Sequence, residues 1–295
     1  MQKTAFIFPG QASQFKGMGK NLYEENSEAR NLFDEANDLL GFKITEVMFE
    51  GSEEELRQTK ITQPSVFIHS VIHAKTLGKD ISYQGVAGHS LGEFSALVAA
   101  GVLSFQDGLK LVNIRAHAMQ HACETNPGTM AAIVGLDDAK IEELCQSFTE
   151  DIVIAANYNC PGQLVISGSL SGIQKIETIM LAAGAKRFIT LAVGGAFHSP
   201  LMEPARRELE SAIDATDFKQ PICPIYQNVN AAAEIEPEKI KANLKSQLTS
   251  AVKWTQTMQN MIHDGYDQFY EVGGNGTVLS GFLKRINREV PVQSI

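Results

Sequence analysis

Gly88-His89-Ser90-Leu91-Gly92-Glu93 is the stretch that decides the fold, because it fits the Gly-x-Ser-x-Gly pattern of a nucleophile elbow. The short, partly apolar run at 83–87 before it predicts a strand, and the run at 93–100 after it is rich in helix formers. Glycines permit a sharp turn that a Cβ would obstruct. Such a turn lifts the Ser90 hydroxyl above the sheet edge and leaves the Leu91 N–H free to stabilise an oxyanion. The alternative is a chance match in an ordinary loop.

Length and composition bound the class of protein. The chain has 295 residues, of which 44% are hydrophobic and 20% charged, enough for one large or two modest domains. Its net charge of −9 argues against nucleic acid and anionic membranes as partners. No apolar run is long enough to span a bilayer, and residues 1–10 predict a first strand rather than a signal peptide. The expected location is therefore the cytoplasm.

The cysteines and histidines show no metal-binding pattern. The four cysteines contain no Cys-x-x-Cys pair, so we expect small buried residues, except that Cys160 beside Pro161-Gly162 is expected to be exposed. Two histidine pairs have i, i+4 spacing but no carboxylate in a ligand pattern: His69 with His73, and His117 with His121. The sequence therefore predicts neither a zinc site nor a disulfide framework.

Strand and helix patterns alternate along the first part of the chain. Residues 4–8 predict a strand, and apolar spacing over 27–40 predicts a helix. Ser52 stands three residues before Glu55, which is a capping-box signature. Pro64 is predicted to open an apolar helix over 64–77. This alternation favours the α/β class, with a parallel sheet covered on both faces.

The order of predicted strands and helices changes near Pro127-Gly128. Strands are predicted at 129–135, 152–157, 163–167 and 187–193, with helices at 138–148 and 171–183. This β-α-β-β-α-β order is that of a split ferredoxin-like unit. We interpret 127–196 as a ferredoxin-like small domain inserted into an α/β-hydrolase-like core of 1–126 and 197–295, with Gly194-Gly195 as the return hinge. Beyond it, strands are predicted at 225–229 and 268–272, and helices at 200–215, 240–248, 254–264 and 277–288.

A serine nucleophile needs a base at neutral pH. Among seven histidines, His198 is the best candidate because it follows Gly194-Gly195 at the junction where the inserted domain returns. The order of Ser90 before His198 also fits an α/β-hydrolase-like arrangement. The alternative is a residue that simply starts a helix before Pro200. No Asp or Glu between Ser90 and His198 stands out as the acid of a triad.

Arg115 is the second unusual residue, because it lies on an apolar stripe of the helix predicted over 106–122. Burying an arginine alone is costly, so it requires an anionic partner. Two interpretations remain open. In the first, Arg115 has a structural role: it forms a salt bridge or extends its guanidinium group to solvent. In the second, its planar guanidinium group binds a substrate carboxylate.

The loop at 8–14 follows the first predicted strand. Ligands bind beyond the carboxyl ends of parallel strands, so a backbone N–H in this loop can serve as a second oxyanion donor. The alternative is an ordinary turn between a strand and a helix.

Together these residues resemble the malonyl-CoA:acyl-carrier-protein transacylases of fatty acid synthesis, over almost the whole chain. The shared motifs are Pro9-Gly10-Gln11, the serine motif at 88–93, Arg115, Met130-Ala131-Ala132, 157–163, Phe197-His198-Ser199 and Tyr270-Glu271-Val272-Gly273. Three departures affect loops only: Ala12, Ala251 and the turn Gly273-Gly274-Asn275-Gly276.

The resemblance implies a role for each matching residue. Ser90 takes the malonyl group, His198 is general base and then general acid, and the N–H groups of Gln11 and Leu91 form the oxyanion hole. Arg115 pairs with the malonyl carboxylate, and a backbone carbonyl near Gln247 orients the histidine. The substrate site is further implied to include Gln247, Phe197, Asn157 and His89.

The resemblance also implies the partners. Malonyl-CoA donates the acyl group by ping-pong kinetics to an acidic, phosphopantetheinylated acyl carrier protein, with no further cofactor and a monomeric enzyme. Leu91 and Phe197-His198 match the malonyl-selective pattern rather than the methylmalonyl-selective one. We expect the carrier to meet a local basic patch drawn from Lys186, Arg187, Arg206, Arg207, Lys284, Arg285 and Arg288.

Three other functions compete with this interpretation. A serine hydrolase or thioesterase would release the acyl group to water, and a trans-acting acyltransferase would load polyketide synthase modules. An inactive carrier-binding module is the third. The presence of Ser90, His198 and Arg115 argues against an inactive module.

Overall fold

A computed structural model describes residues 2–295 as ten strands and thirteen α-helices arranged around two sheets. The strands are β1 (Thr4–Phe8), β2 (Gly85–Gly88), β3 (Gly128–Val134), β4 (Val153–Cys160), β5 (Gln163–Ser169), β6 (Arg187–Thr190), β7 (Ile225–Tyr226), β8 (Ala233–Glu234), β9 (Gln268–Glu271) and β10 (Val292–Ser294). The helices are α1 (Lys20–Glu25), α2 (Ser27–Leu40), α3 (Ile44–Glu50), α4 (Glu53–Arg57), α5 (Thr59–Thr76), α6 (Gly92–Ala99), α7 (Phe105–Thr125), α8 (Asp138–Ser147), α9 (Leu170–Ala182), α10 (Glu203–Asp214), α11 (Pro237–Ser246), α12 (Trp254–His263) and α13 (Val278–Ile286). Short 3-10 helices lie at Pro200–Met202 and Gln247–Thr249.

The larger sheet has the strand order β10-β9-β1-β2-β7-β8. All neighbouring pairs are parallel except β7 with β8. Every residue of the central strand β1 is buried, as expected for a strand covered on both faces. The carboxyl ends of β1, β2 and β9 lie at one edge, so the segments that follow Phe8, Gly88 and Glu271 meet there.

The smaller sheet is antiparallel, with the strand order β4-β5-β3-β6. Its strand β3 alternates between two cores, because Ala131 and Ile133 join a cluster with α8 and α9 while Met130 and Ala132 join the main core. Strand β4 also meets the segment before α12, where the Tyr158 N–H donates to the Val252 carbonyl at 2.9 Å. The smaller sheet thus has a core of its own and one edge bonded to the chain near the larger sheet.

Several local predictions are confirmed. The α/β class, the strand over 4–8 and the helix over 27–40 match the structure. Ser52 and Glu55 exchange both bonds of the predicted capping box. Most other predicted elements are shifted by a few residues, and the strands β6 and β7 are shorter than expected.

The prediction that Pro64 opens a helix is wrong, because α5 begins at Thr59 and Pro64 lies inside it. The proline ring removes the N–H that would bond the Lys60 carbonyl. Lys60 is exposed, so water can satisfy that carbonyl, and the buried residues that follow hold the helix in the core. Tertiary packing therefore overrides the local signal.

The expected exposure of Cys160 is also wrong. The strand β4 continues through Cys160, which is 1% exposed, and the turn consists only of Pro161 and Gly162. The other three cysteines are buried as predicted, and all four are free thiols. Elements without a sequence prediction are the helices α1 and α3 and the edge strands β8 and β10. Among residues 2–295, no helix combines the length and the apolar character needed to cross a membrane.

Candidate active site

The serine motif forms the predicted turn between β2 and α6. Ser90 has φ of 52°, in the left-handed region that a residue with a Cβ seldom adopts. A Cβ at Gly88 would lie 2.0 Å from the backbone of Gly92, and one at Gly92 would lie 2.0 Å from the Phe8 carbonyl oxygen. Both glycines are therefore required for the close approach of this turn to itself and to β1.

The structure brings His198 to Ser90, although 108 residues separate them in the chain. The two side chains form a hydrogen bond of 2.7 Å between Ser90 Oγ and His198 Nε2. His198 Nδ1 lies 3.0 Å from the Gln247 carbonyl oxygen and 3.2 Å from that of Ser250. Carbonyl oxygens only accept, so the geometry assigns the ring proton to Nδ1 and leaves the Nε2 lone pair facing Ser90. Backbone carbonyls thus take the orienting role that a triad acid has elsewhere.

The surroundings of His198 keep its imidazole neutral. Burial lowers the pKa of His198 to about 3, and the positive charge of Arg115 acts in the same direction. The bonds from Nδ1 to the two carbonyls oppose this shift without reversing it. A neutral imidazole that faces a serine hydroxyl can accept its proton, which is the first requirement of a general base.

Arg115 lies in the centre of this group and is 1% exposed. Its Nη2 donates to Ser90 Oγ at 3.0 Å and to Gln247 Oε1 at 3.2 Å, and its Nη1 donates to Gln63 Oε1 at 2.7 Å. Among residues 2–295, no carboxylate lies within ion-pair distance of Arg115. Within the described chain, the guanidinium group of Arg115 is therefore neither exposed to solvent nor part of a direct salt bridge.

The charge state of Arg115 follows from two opposing effects. Burial lowers its pKa to about 9, and the negative charge of Glu93 acts in the opposite direction. Arg115 is a cation at neutral pH, and its guanidinium fork is bonded to neutral amides and to the nucleophile. Such a site favours an incoming carboxylate, because a charge-assisted bidentate pair is stronger than bonds to amides.

The two backbone N–H groups predicted to form an oxyanion hole, those of Leu91 and Gln11, belong to segments that follow neighbouring parallel strands. Leu91 precedes α6 directly, and Gln11 follows β1 at the same sheet edge. Within residues 2–295, neither N–H donates to a protein acceptor. Ser13 Oγ donates to the Gly10 carbonyl at 2.6 Å, and a Cβ at Gly10 would lie 2.6 Å from the His89 carbonyl oxygen, so the Gln11 loop packs tightly on the elbow.

The remaining predicted site residues lie around this centre rather than in it. His89 Nε2 is 2.9 Å from Asn159 Oδ1, so the ring points toward the β4–β5 hairpin and away from Ser90. Asn157 lies on β4, and its buried Oδ1 has no hydrogen-bond partner among the described residues. Phe197 is 6% exposed and belongs to the main core. The structure thus groups Ser90, His198, Arg115 and Gln247, and it does not bring Asn157 or Phe197 into their hydrogen-bond network.

Three residues of the network carried no prediction. Gln63 bonds Arg115, and Asn228 bonds the Ser90 backbone N–H through its Oδ1 at 2.7 Å. Glu93 is fully buried, accepts from the Asn228 N–H at 2.9 Å, and has a raised pKa because of its burial. Glu93 belongs to the serine motif, where a buried acid at the start of a helix is a usable signal. Gln63 and Asn228 have no local signal, because only the fold brings them near Ser90.

The described residues offer no metal centre. No group of three or more His, Cys, Asp or Glu side chains in 2–295 is arranged to hold an ion. The rings of His69 and His73 lie with their centroids 4.1 Å apart and tilted by 45°, and the buried His69 accepts from the Gly274 N–H, which is a packing role. The side chains that the structure brings together at Ser90 are those of His198 and Arg115.

A serine on an elbow, paired with a buried neutral histidine and two free N–H groups, defines a catalyst that works through an acyl-enzyme. Comparison with known proteins agrees with this class. The acyl transferase domain family model matches residues 5–293. The malonyl CoA-acyl carrier protein transacylase of Bacillus subtilis (strain 168) is 43% identical over 293 residues, covering 98% of this chain and 92% of that protein. That of Staphylococcus aureus (strain COL) is 42% identical over 297 residues, covering 100% and 96%.

Solved structures show the same likeness in three dimensions. The acyl-carrier-protein S-malonyltransferase from Burkholderia pseudomallei 1710b has a TM-score of 0.95 at 38% identity, covering 100% of this chain and 96% of that one. A malonyl-transacylase solved in complex with its type II PKS acyl-carrier protein has a TM-score of 0.94 at 36% identity, with the same coverage. The chain therefore belongs to the acyl transferase domain family, and its resemblance to the malonyl-CoA:acyl-carrier-protein transacylases is confirmed.

Proposed function

We propose that this enzyme transfers a malonyl group from malonyl-CoA to the phosphopantetheine thiol of an acyl carrier protein, supplying fatty acid elongation. The observation that carries the proposal is the buried Arg115 cation, whose Nη2 lies 3.0 Å from Ser90 Oγ and which has no carboxylate partner in residues 2–295. A malonyl group bound to Ser90 carries a carboxylate that such a cation can neutralise. The names of the relatives support the same substrate and acceptor.

In the first half-reaction, Ser90 Oγ attacks the thioester carbonyl carbon while His198 Nε2 takes the hydroxyl proton. The carbonyl oxygen becomes an oxyanion and receives bonds from the N–H groups of Gln11 and Leu91. The C–S bond then breaks, and the CoA sulfur leaves with the proton from His198. The product is a malonyl ester on Ser90 with His198 neutral again.

The second half-reaction runs the same steps in reverse order with a new thiol. His198 takes the proton of the carrier's phosphopantetheine thiol, and the sulfur attacks the ester carbonyl carbon. The oxyanion forms in the same place, and the ester C–O bond breaks as His198 returns the proton to Ser90 Oγ. The resulting ping-pong sequence needs no redox or prosthetic group, so we propose that the enzyme uses none.

Selection of the acyl group follows from the charge of the site. An acetyl group brings no negative charge to the buried Arg115, whereas a malonyl group brings a carboxylate that can pair with it directly. Discrimination of a single methyl group depends only on steric fit, which is worth about 1–3 kcal/mol. We therefore propose strong selection of malonyl over acetyl and weaker selection over methylmalonyl. Gln247 supports both the acyl site and His198, through its side chain and its carbonyl respectively.

The strand orders support a finer description of the fold. We propose that 1–126 and 197–295 form an α/β-hydrolase-like catalytic domain, because the parallel strands and Ser90 lie in these two segments. The order β4-β5-β3-β6 with α8 and α9 supports a ferredoxin-like small domain at 127–196. We further propose a cytoplasmic monomer, since four free thiols suit a reducing compartment.

The proposed carrier-binding patch divides into two parts. Arg206 and Arg207 both pair with Glu203, and Arg206 also pairs with Glu210, so their charges are compensated. The other basic residues form no ion pair within 2–295: Lys186, Arg187, Lys284, Arg285 and Arg288. Arg285 donates to the Pro161 carbonyl at 3.0 Å, which places the end of α13 beside the β4–β5 turn. We propose that this uncompensated set attracts the acidic carrier.

The test is intact mass spectrometry after brief incubation with malonyl-CoA, with acetyl-CoA and Ser90→Ala in parallel. We expect a malonyl adduct that requires Ser90 and is removed when a carrier protein is added. An equal adduct from acetyl-CoA would overturn the assignment of Arg115. Loss of the adduct to water without the carrier would identify a hydrolase, and absence of any adduct would identify a binding module.

A further inference from the structure

The backbone of Ser90 is held by side chains from two distant parts of the chain. Asn228 Oδ1 accepts from the Ser90 N–H at 2.7 Å, and Gln247 Nε2 donates to the Ser90 carbonyl oxygen at 3.0 Å. Asn228 Nδ2 also donates to the Gly88 carbonyl at 2.6 Å. One amide thus spans the elbow and bonds the residues on both sides of His89.

These hydrogen bonds act on a backbone conformation at Ser90 that requires stabilising contacts. A φ of 52° places Ser90 in the left-handed region, which is unfavourable for an L-residue with a side chain. Strained turns of this kind persist only where surrounding contacts determine them. The N–H of Ser90 and the carbonyl of Gly88 have opposite requirements, and a primary amide satisfies both at once.

The Asn228 amide is itself fixed in place. The residue is fully buried, its backbone N–H donates to Glu93 Oε2 at 2.9 Å, and its carbonyl accepts from the Lys253 N–H at 3.0 Å. Glu93 is in turn bonded by the Gln227 side chain at 3.0 Å. The amide cannot rotate by half a turn, because that would place its NH₂ against the Ser90 N–H and its oxygen against the Gly88 carbonyl.

We propose that Asn228 is a positioning residue for catalysis, which sets the elbow so that Ser90 Oγ faces His198 and the Leu91 N–H points at the oxyanion. The side chains of Asn228 and Gln247 bond the Ser90 peptide, and the adjacent Leu91 N–H is left without a protein acceptor in residues 2–295. Asn228 touches no reacting atom, so its effect passes through Ser90 and Leu91. This role rests on the Ser90 acyl-enzyme of the proposed function.

A positioning role and a purely structural role lead to different measurements. If Asn228 only stabilises the fold, its loss lowers the amount of folded enzyme while each folded molecule reacts at the usual rate. If it sets the elbow, each folded molecule acylates more slowly and still binds malonyl-CoA normally. The time course of the malonyl adduct separates these cases, because unfolded molecules lower its amplitude and not its rate constant.

The experiment compares Asn228→Ala with the wild type and with Asn243→Ala as matched control. Asn243 donates to the Gln227 side chain at 2.8 Å, so its removal takes one amide from the same network without touching Ser90. We expect Asn228→Ala to slow acylation by about 100-fold, as a small misplacement of reacting groups does. Affinity for malonyl-CoA, measured in a Ser90→Ala background, should not change. The rate of Asn243→Ala should match the wild type.

An unchanged acylation rate constant in Asn228→Ala, or a rate loss equal to that of Asn243→Ala, would overturn the proposal. If Asn228→Ala gives no folded protein, Asn228→Ser provides the same test, because one short hydroxyl cannot span both the Ser90 N–H and the Gly88 carbonyl. Failure of the proposed function is recognised separately, since the wild type would then form no malonyl adduct at all.

Discussion

Two arginines of this enzyme, Arg115 and Arg206, have well-formed hydrogen bonds but opposite electrostatic settings. Arg206 lies on α10 and pairs with the carboxylates of Glu203 and Glu210 at 2.7 and 2.8 Å. Arg115 is buried and bonds two neutral amides and the nucleophile. Burial of a cation without direct pairing costs stability, and the Arg115 cation is favoured only by the more distant negative charge of Glu93 and by the Phe94 ring. The comparison shows that the charge of Arg206 is paired on its own helix, whereas Arg115 has no direct carboxylate partner among residues 2–295, as the proposed binding of a malonyl carboxylate requires.

The largest effect should come from Arg115→Ala. Loss of this buried cation beside Ser90 removes the proposed partner of the malonyl carboxylate, and we expect kcat/KM for malonyl-CoA to fall about 1000-fold, as when a buried charge loses its partner. The rate with acetyl-CoA should be unchanged or higher, so the selectivity ratio collapses. Steady-state kinetics with both thioesters measures this ratio.

Two further variants sharpen the result. Arg115→Lys should recover little activity, because a point charge does not reproduce the planar fork that bonds Gln63, Ser90 and Gln247. Arg206→Ala is the surface control and should leave both rates as in the wild type. Equal losses with malonyl-CoA and acetyl-CoA in Arg115→Ala would contradict the assignment of the carboxylate.

The second-largest effect should be on KM for the carrier protein, which accepts the malonyl group. Reversing uncompensated charges in Lys284→Glu/Arg285→Glu should raise KM for an acidic carrier protein by about tenfold at low salt, because steering charges act mainly on association. The matched control is Arg206→Glu/Arg207→Glu, which alters charges already paired with Glu203. Transfer rates measured against carrier concentration at two salt concentrations test this. An equal effect of the two double variants would remove the distinction between the paired and uncompensated sets.

Local patterns in the sequence singled out three residues that the structure brings together: Ser90 on an elbow, His198 after a pair of glycines and Arg115 on an apolar stripe. The sequence could not predict Asn228, whose contact with Ser90 spans 138 residues and depends on where β7 ends beside β2. The same limit explains Pro64 and Cys160, where packing overrides a local turn or helix-start signal. The sequence shows no triad acid, and in the structure His198 Nδ1 faces two backbone carbonyls instead, which no residue type reveals.

The third effect is on pH dependence. Burial first and the Arg115 charge second lower the pKa of His198, the proposed general base, to about 3, so its imidazole stays neutral as pH falls. We expect kcat/KM for malonyl-CoA to stay nearly level from about pH 8 down to about pH 5, since the acid limb reports the pKa of the free enzyme's base. Without the nearby cation, the imidazolium becomes less unfavourable and the pKa of His198 rises toward its ordinary value.

The acid limb in Arg115→Ala should therefore move to higher pH. It is measured with acetyl-CoA, which does not need the arginine for binding. Arg206→Ala should show the wild-type profile, because Arg206 does not contribute to the lowered pKa of His198. A profile of Arg115→Ala that coincides with the wild type would show that burial alone keeps His198 neutral.

The smallest effect should come from the stability of Arg206→Ala. The bonds to Glu203 and Glu210 raise the pKa of Arg206, but both carboxylates are 37% exposed and the pairs lie along one helix. Exposed ion pairs of this kind contribute about 0.2–1 kcal/mol, and salt reduces that contribution. Chemical denaturation at low and high salt should show a small loss of unfolding free energy in Arg206→Ala that shrinks with added salt. A loss well above this range, unaffected by salt, would mean that the aliphatic stem of Arg206 stabilises α10 by packing rather than by charge.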